Sequence, residues 1–437
     1  MTATRPGPAG RVHGITSSGF SPREHLQNAV LPWWDSNGAD DLHGGVLTCF
    51  SNAGVLQSTD KYTWSQGRWA WLCAQIAADG HQGILEVDGD KWSRRAVRTA
   101  EFVRTHAVLE GGLTAFRTDR SGIALPSGPN GEAATSVFAD LFAVLGFAGA
   151  VKVPGYPEAE KSETAAAADK ILASALARIK SRKAMTAPYP VRSGFSDLAA
   201  PMTLLHAGSE LFRSTGSAAA RSAVSYALGQ LLEGQGREPM LQETQWWEFR
   251  PDSPRDTDSL LARHRTPGHL LECLWMLIHS QEVMGGSLSA LPKSLPGLAL
   301  RALELGWDQD YGGLFRYVDR DGGVPSGSLF GGDPYEDLVQ STWDTKLWWV
   351  HAEAMYATKL LARHYGSYGF EDWNSKLTDY TLATFPDPDG NEWTQIRDRQ
   401  GAPLDKVVAL PVKDPFHIAR TLVFLNRLEK DDPHAAQ

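Results

Sequence analysis

The sequence predicts an all-α fold: a toroid of about six helical hairpins with short β-hairpin loops at one end. Three observations support it. A short hairpin-like pattern recurs along the chain, and the proline-free segments between copies are apolar on most sides. One long intervening segment is instead charged on part of its circumference. A helix that is apolar nearly all round is buried on all sides, whereas one with a charged flank lies outside. Buried inner helices ringed by outer ones follow from that contrast.

The recurring unit is a pair of small residues, a few strand-like residues and a polar turn. It reads Gly44-Gly45 through Gly54, Gly111-Gly112 through Gly122, Gly312-Gly313 through Gly322, and more loosely Asn391 through Gly401. The first two copies, like the last two, lie roughly 70 to 80 residues apart, room for one helix pair and its connections. Across 437 residues this makes about six pairs. The pattern predicts inner helices over 64–78, 269–280, 346–362 and 417–428. In the second of these, Leu270, Leu271, Leu274, Trp275 and Ile278 cover one side. His269, Glu272, Cys273 and Met276 occupy the other at i, i+3, i+4, i+7. The charged segment 158–183 reads as an outer helix. Gly and Pro are spread evenly and mark no linker, so residues 21–430 read as a single domain. Residues 1–20 are expected to be a disordered tail, without the apolar stretch of a signal peptide, and 431–437 a loose C-terminal tail.

A net charge of −9 argues against general nucleic-acid or anionic-membrane binding. No window approaches 18 uninterrupted apolar residues, so no membrane span is expected. Cys49, Cys73 and Cys273 form no CxxC pair and no disulfide framework, which predicts a reduced, cytoplasmic setting. The 15 tryptophans exceed the 11 tyrosines. Such an excess belongs to an aromatic core, or to a site that stacks on flat apolar faces such as those of sugar rings.

The sharpest local signal is a coincidence between Thr266-Pro267-Gly268-His269 and Asp414-Pro415-Phe416-His417. Each reads as N-cap, Pro at the first helical position, and His at the third. There the positive end of the helix dipole disfavours imidazolium and keeps the ring neutral, as a general base requires. Two such bases suit proton abstraction and redelivery; the competing reading makes them capping or core histidines. Glu272 lies one turn after His269 and either orients it, holds a substrate hydroxyl, or pairs with an arginine. His351 and Glu353 sit in the run 346–355, where Glu353 shares a face with Trp349 and Tyr356. Arg68 shares a face with Trp64, Trp71 and Leu72, and so points inward to an enolate oxygen or a buried carboxylate. Arg263 and His264 lie on a loop placed to roof the same site, and His206 reads as core. No phosphate loop, dinucleotide fingerprint, HExxH or GxSxG is present, so no cofactor and no metal is expected. A glycosidase with paired acids among Glu248, Glu272, Asp344 and Glu353 stays open.

The chain resembles the N-acylglucosamine 2-epimerase family. The matching stretches are Lys61 through Arg68, Ser136 through Asp140, Pro201 through Leu205, Arg263 through Glu272, Trp307 through Phe315, Lys346 through Met355, and Phe416 through Arg420. The resemblance implies an (α/α)6 barrel. It also implies cofactor-independent epimerisation or isomerisation of a free reducing monosaccharide or disaccharide, through ring opening and an enediolate. It places the essential histidine pair on His269 and His417 and the inward arginine, binding C1 and O2 oxygens, on Arg68. Glu272 becomes a ring-opening or supporting group, and Glu248 and Arg263 further polar contacts. Tyr62, Trp349, His351 and Glu353 complete the expected substrate-binding set, and a homodimer is expected by analogy. The loop between Gly322 and Lys346 is longer than in the acylglucosamine enzymes, and the stretch Lys413 to His417 shorter.

Overall fold

The computed structural model describes residues 17–234, 236–387, 390, 392–406 and 411–431. Most of the two expected tails, 1–16 and 432–437, lies outside the described residues. Ser17–Gly19 form a short 3-10 turn whose Ser17 amide donates to Asp379 at 2.6 Å.

In chain order the main helices are α1, a continuous helical run over 22–38, then α2 (Thr63–His81), α3 (Gly89–Phe102) and α4 (Val137–Ala150). They continue with α5 (Glu158–Lys180), α6 (Ala199–Thr215), α7 (Ala218–Leu228) and α8 (Pro267–Val283). The series closes with α9 (Leu295–Gly306), α10 (Trp348–His364), α11 (Phe370–Thr384) and α12 (Phe416–Lys430). Each even-numbered helix packs on the next, and α12 returns to α2. The inner ring is therefore closed, with the odd-numbered helices packed around it. This is the six-hairpin toroid that the repeat predicts. The buried character follows the expected contrast: α4 is buried at every position, whereas α5 buries only Thr164, Ala168, Ile171, Leu172, Ala175 and Leu176 along one stripe.

The recurring glycine pairs have a backbone reason. Gly44 and Gly45 have φ of 81° and 84°, and Gly312 and Gly313 of 77° and 71°, a region that side-chain-bearing residues rarely adopt. Each pair closes a loop on an aspartate four residues earlier. The Gly44 amide donates to the Asp40 carbonyl (2.8 Å), and the Gly312 amide to that of Asp308 (2.9 Å). Each aspartate then holds a lysine and an arginine from distant segments. Lys61 Nζ lies 2.9 Å from Asp40 and Arg120 Nε 3.0 Å from it. Lys346 Nζ lies 3.1 Å from Asp308 and Arg399 Nε 2.8 Å from it. Both lysines are wholly buried and sit just before α2 and α10. The repeat thus fixes where two inner helices begin, at the end of the barrel that carries the cavity. Lys346-Leu347, expected to be helical, instead forms a two-residue strand paired with Ile396-Arg397.

Two packing features shape the interior. A Cβ on Gly67 would meet the Phe142 carbonyl oxygen at 1.9 Å, so α2 and α4 approach closely only because residue 67 lacks one, and Arg68 follows directly. Deeper in, Trp71, His206, Trp275 and Phe424 form a closed cycle of edge-to-face contacts from α2, α6, α8 and α12. Their centroids are 5.3–6.0 Å apart, the favoured separation for such pairs. These rings plug the barrel axis.

Removing one partner of a buried ion pair strands the other. Asp308→Asn is therefore expected to lower unfolding stability by about 3–5 kcal/mol, and Lys346→Met by less, because Asp308 keeps Arg399. Urea melts giving equal or negligible losses would contradict this ranking.

Candidate active site

A cavity of about 200 Å³ lies at the N-terminal end of the inner helices. His269 reaches it as the third residue of α8, after Thr266 at the N-cap and Pro267 at the first helical position, as the sequence predicts. Its Nδ1 lies 2.7 Å from Oε1 of Glu248, which is buried next to the strand Phe249–Pro251. A carboxylate only accepts, so the Nδ1 proton donates to Glu248 and Nε2 is left for the cavity. Burial opposes the charged imidazolium, but the Glu248 charge and this hydrogen bond prevail and hold the His269 pKa above the ordinary value.

His417 is held differently. Its helix begins at Phe416 with Pro415 at the N-cap, one residue later than the sequence predicts. Asp414 still serves the helix end, its carboxylate accepting from the Phe416 amide (3.2 Å) and the His417 amide (3.4 Å). His417 Nδ1 lies 2.7 Å from Glu353 Oε1. Burial lowers the His417 pKa to about 3; the Asp414 and Glu272 charges oppose this, while Arg68 and Arg420 add to it. The neutral ring that the sequence predicts is favoured at His417, whereas at His269 the shift runs toward the protonated form. Direct contact with an undivided Glu248 outweighs the dipole at His269. At His417 burial wins, with Arg68 and Arg420 offsetting the nearby acids.

Arg420 organises this side. Its Nη2 donates to Glu272 Oε1 at 2.9 Å and also to Glu353 Oε1. Trp275 Nε1 donates to the other Glu353 oxygen at 2.7 Å. Glu272, Glu353 and His417 converge within 4.8 Å of one another, a donor set that suits a cation, and the Arg420 guanidinium supplies that positive charge. Arg68 faces the cavity among Phe142, Phe416 and Trp64, its Cζ 4.1–5.0 Å from their ring centres. Burial pulls its pKa down to about 10, and Asp414 lies 3.7 Å away. Trp349 joins the two histidines, with ring centroids 5.0 Å from His269 and 5.9 Å from His417.

The family model of the N-acylglucosamine 2-epimerases matches residues 44–420, a span that contains every group just described. The chain belongs to the N-acylglucosamine 2-epimerase family. It is 24% identical to the N-acylglucosamine 2-epimerase of Mus musculus, over 93% of this chain and 90% of the mouse protein. Among solved structures it is similar to the cellobiose 2-epimerase from Bacillus thermoamylovorans. That match has a TM-score of 0.70 and 16% identity, covering 93% of this chain and 98% of the other. It is also similar to a D-mannose isomerase, with a TM-score of 0.68 and 17% identity, covering 93% and 97%. These likenesses show the (α/α)6-barrel fold.

Within that family frame, His269, His417, Arg68, Glu248, Glu272 and Trp349 line the one cavity. Glu353 stands behind His417 and does not line it. Four other expectations are corrected. Arg263 turns away to Asp319 (2.6 Å) and Asp321 (2.9 Å), because the strand pairing of His264 with Asp319 brings those acids beside it. His264 is fully buried and donates to the Leu261 carbonyl (2.7 Å). His351 is a core residue: Nδ1 donates to the Leu347 carbonyl (2.7 Å), and Nε2 accepts from the Leu314 amide (2.9 Å). Tyr62 packs edge-on to Phe116 in a small separate cluster with Cys49. His206, read as core, is buried in the aromatic plug and also borders the cavity. Of the tryptophans, Trp64, Trp348 and Trp349 line the cavity, while Trp69, Trp71, Trp246 and Trp275 are core.

Sequence reasoning missed Arg420, Asp197 and Arg316. Arg420 carried a usable signal, its i+3 spacing from His417 on a buried face. Asp197 lines the cavity with its pKa raised to about 6, by burial first and by the Glu248 charge. Only the strand pairing of 195–197 with 249–251 brings it there.

Nitrogen-resolved NMR titration of the histidines is expected to show His269 ionising above the ordinary histidine range and His417 staying neutral well into acid. Glu248→Gln removes the raising charge, so the His269 midpoint moves to lower pH. Two rings titrating together near the usual value would contradict the asymmetry.

Proposed function

We propose that this protein interconverts free reducing sugars by moving the C2 proton, and that N-acylglucosamine 2-epimerase is the best single description of it. The observation that carries the reading is a pair of imidazoles on one cavity, each backed by a carboxylate at 2.7 Å, with opposite shifts in proton affinity. Of the two rings, His269 is the one that keeps a proton to higher pH. His417 is then a free base at Nε2 and His269 a proton donor at its own.

In the open-chain sugar the aldehyde acidifies the C2 hydrogen. His417 takes that proton and leaves an enediolate, whose oxygens face the Arg68 guanidinium. His269 returns a proton to C2 on the other face, giving the 2-epimer; return to C1 instead gives the ketose. The reverse reaction uses the same singly protonated pair with the roles exchanged. Glu248 and Glu353 position the rings, and the Arg420–Glu272 pair holds Glu353. The reading takes the enzyme to work without a cofactor, in the cytoplasm and as a homodimer, with neither nucleic acid nor membrane as partner. Among the described residues no helix is long and apolar enough to cross a membrane.

A hydrolase using a pair drawn from Glu248, Glu272, Asp344 and Glu353 fits less well, because those acids are engaged or lie off the cavity. Glu248 and Glu353 each hold a histidine, Glu272 holds Arg420, and Asp344 does not line the cavity.

The test is hydrogen exchange in deuterated water across a panel of aldoses, N-acylhexosamines and β-linked disaccharides. Deuterium is expected at C2 of recovered sugar, and His269→Asn and His417→Asn should each cut turnover by on the order of 10³-fold. Substantial turnover in either variant would sink the two-histidine mechanism. The rate of epimerisation is expected to fall on the alkaline side, as His269 loses its proton, and to hold through mild acid, where His417 remains neutral. A profile that rises through pH 8 would exclude this assignment of roles.

A further inference from the structure

One charged group on the cavity wall is not used by this chemistry. Arg316 follows the Gly312-Gly313 loop, is only 4% exposed and lines the cavity. Its Nη1 donates to the Thr342 hydroxyl (3.0 Å), and its Cζ lies 4.8 Å from the Tyr317 ring centre. Among the described residues it forms no ion pair. The contrast with its counterparts is sharp: buried Arg420 has two carboxylates and Arg68 has Asp414. Arg265, also buried without a carboxylate, gives Nη1 to the carbonyls of Ala262, Arg263 and His264 and lies off the cavity.

The groups around Arg316 are the phenols of Tyr189, Tyr317 and Tyr335. Burial raises the pKa of each, so they are neutral at ordinary pH and offer dipoles but no countercharge. A buried charge without a partner is costly, and a guanidinium fork is shaped for two oxygens of one anionic group. Because this arginine borders the cavity, a ligand can supply that group. Tyr335 and Thr342 come from the helix Pro334–Thr342. Arg68 stands with Asp414, whereas Arg316 stands among the tyrosines with its charge also acting on His269.

We infer that Arg316 binds an anionic group on the substrate: a carboxylate, phosphate or sulfonate carried on a carbon other than C1 and C2. This rests on the epimerase or isomerase reading for the reaction and adds the substrate class. The anion takes the preferred substrate beyond N-acylglucosamine itself, which is neutral.

The experiment compares C2 exchange for matched sugars: hexoses and N-acylhexosamines, their 6-phosphates, their 6-sulfonates, and the corresponding hexuronates. For at least one charged form, kcat/KM is expected to exceed that of its neutral twin by on the order of 10- to 100-fold, mostly through KM. The best charged form identifies the anion. Arg316→Gln should bring that ratio toward one, and Arg316→Lys should keep part of it. If neutral sugars exchange and no charged twin exceeds them, this proposal fails while the reaction assignment stands. If Arg316→Gln lowers both members of a pair equally, Arg316 is structural and the proposal also fails. Exchange with no sugar of either kind overturns the reaction assignment, and this inference with it. If the glutamine variant does not fold, the wild-type comparison still tests the substrate class and Arg316→Lys tests the residue.

Discussion

The site hangs on one buried carboxylate. Glu353 is almost wholly inaccessible, yet it accepts from His417, from the Trp275 indole and from Arg420. An isolated carboxylate at such depth would be strongly disfavoured, and each partner removes part of that cost. Glu353 sits on α10 and its partners on α8 and α12, so satisfying a single charge ties three neighbouring inner helices together at the level of the cavity. The same bonds set the His417 tautomer and its ring direction. Burial, reinforced by the Arg68 and Arg420 charges, holds the proton affinity of His417 down. The undivided Glu248 does lift that of His269. Two rings with the same kind of carboxylate backing differ in behaviour for this reason.

The barrel was legible in the sequence wherever burial was the governing force. Segments apolar all round became inner helices, the charged segment became α5, and the count of hairpins follows from the glycine pairs. The two histidines were legible because a cap and a proline fix the start of a helix, and the first turn of an inner helix points at the mouth. Loop residues were not. Arg263 and His264 border the site in sequence, but a strand register turns the first toward Asp319 and buries the second. His351 looked poised inside a matching run, yet its two nitrogens serve the Leu347 carbonyl and the Leu314 amide. A helical period places residues on a face without saying whether that face meets the lumen or a neighbouring hairpin.

Charge balance was the least legible property. The neutral-base expectation weighed the helix dipole, a fraction of a charge spread over a turn, and could not weigh a full carboxylate at 2.7 Å from a distant segment. Arg316 shows the same limit in reverse. Its sequence neighbours include Asp319 and Asp321, and only the fold reveals that those acids are taken by Arg263.

The aromatic plug has a kinetic meaning. Trp71, His206, Trp275 and Phe424 close the barrel axis below the cavity, and the recess lined by Arg213, His279 and Tyr356 beyond them is separate. A molecule that enters at the helix N-termini leaves by the same mouth. For a reversible interconversion, substrate and product then queue at one doorway, and neither can load while the other departs. Traffic through that doorway becomes a natural ceiling on turnover once the proton transfers are fast.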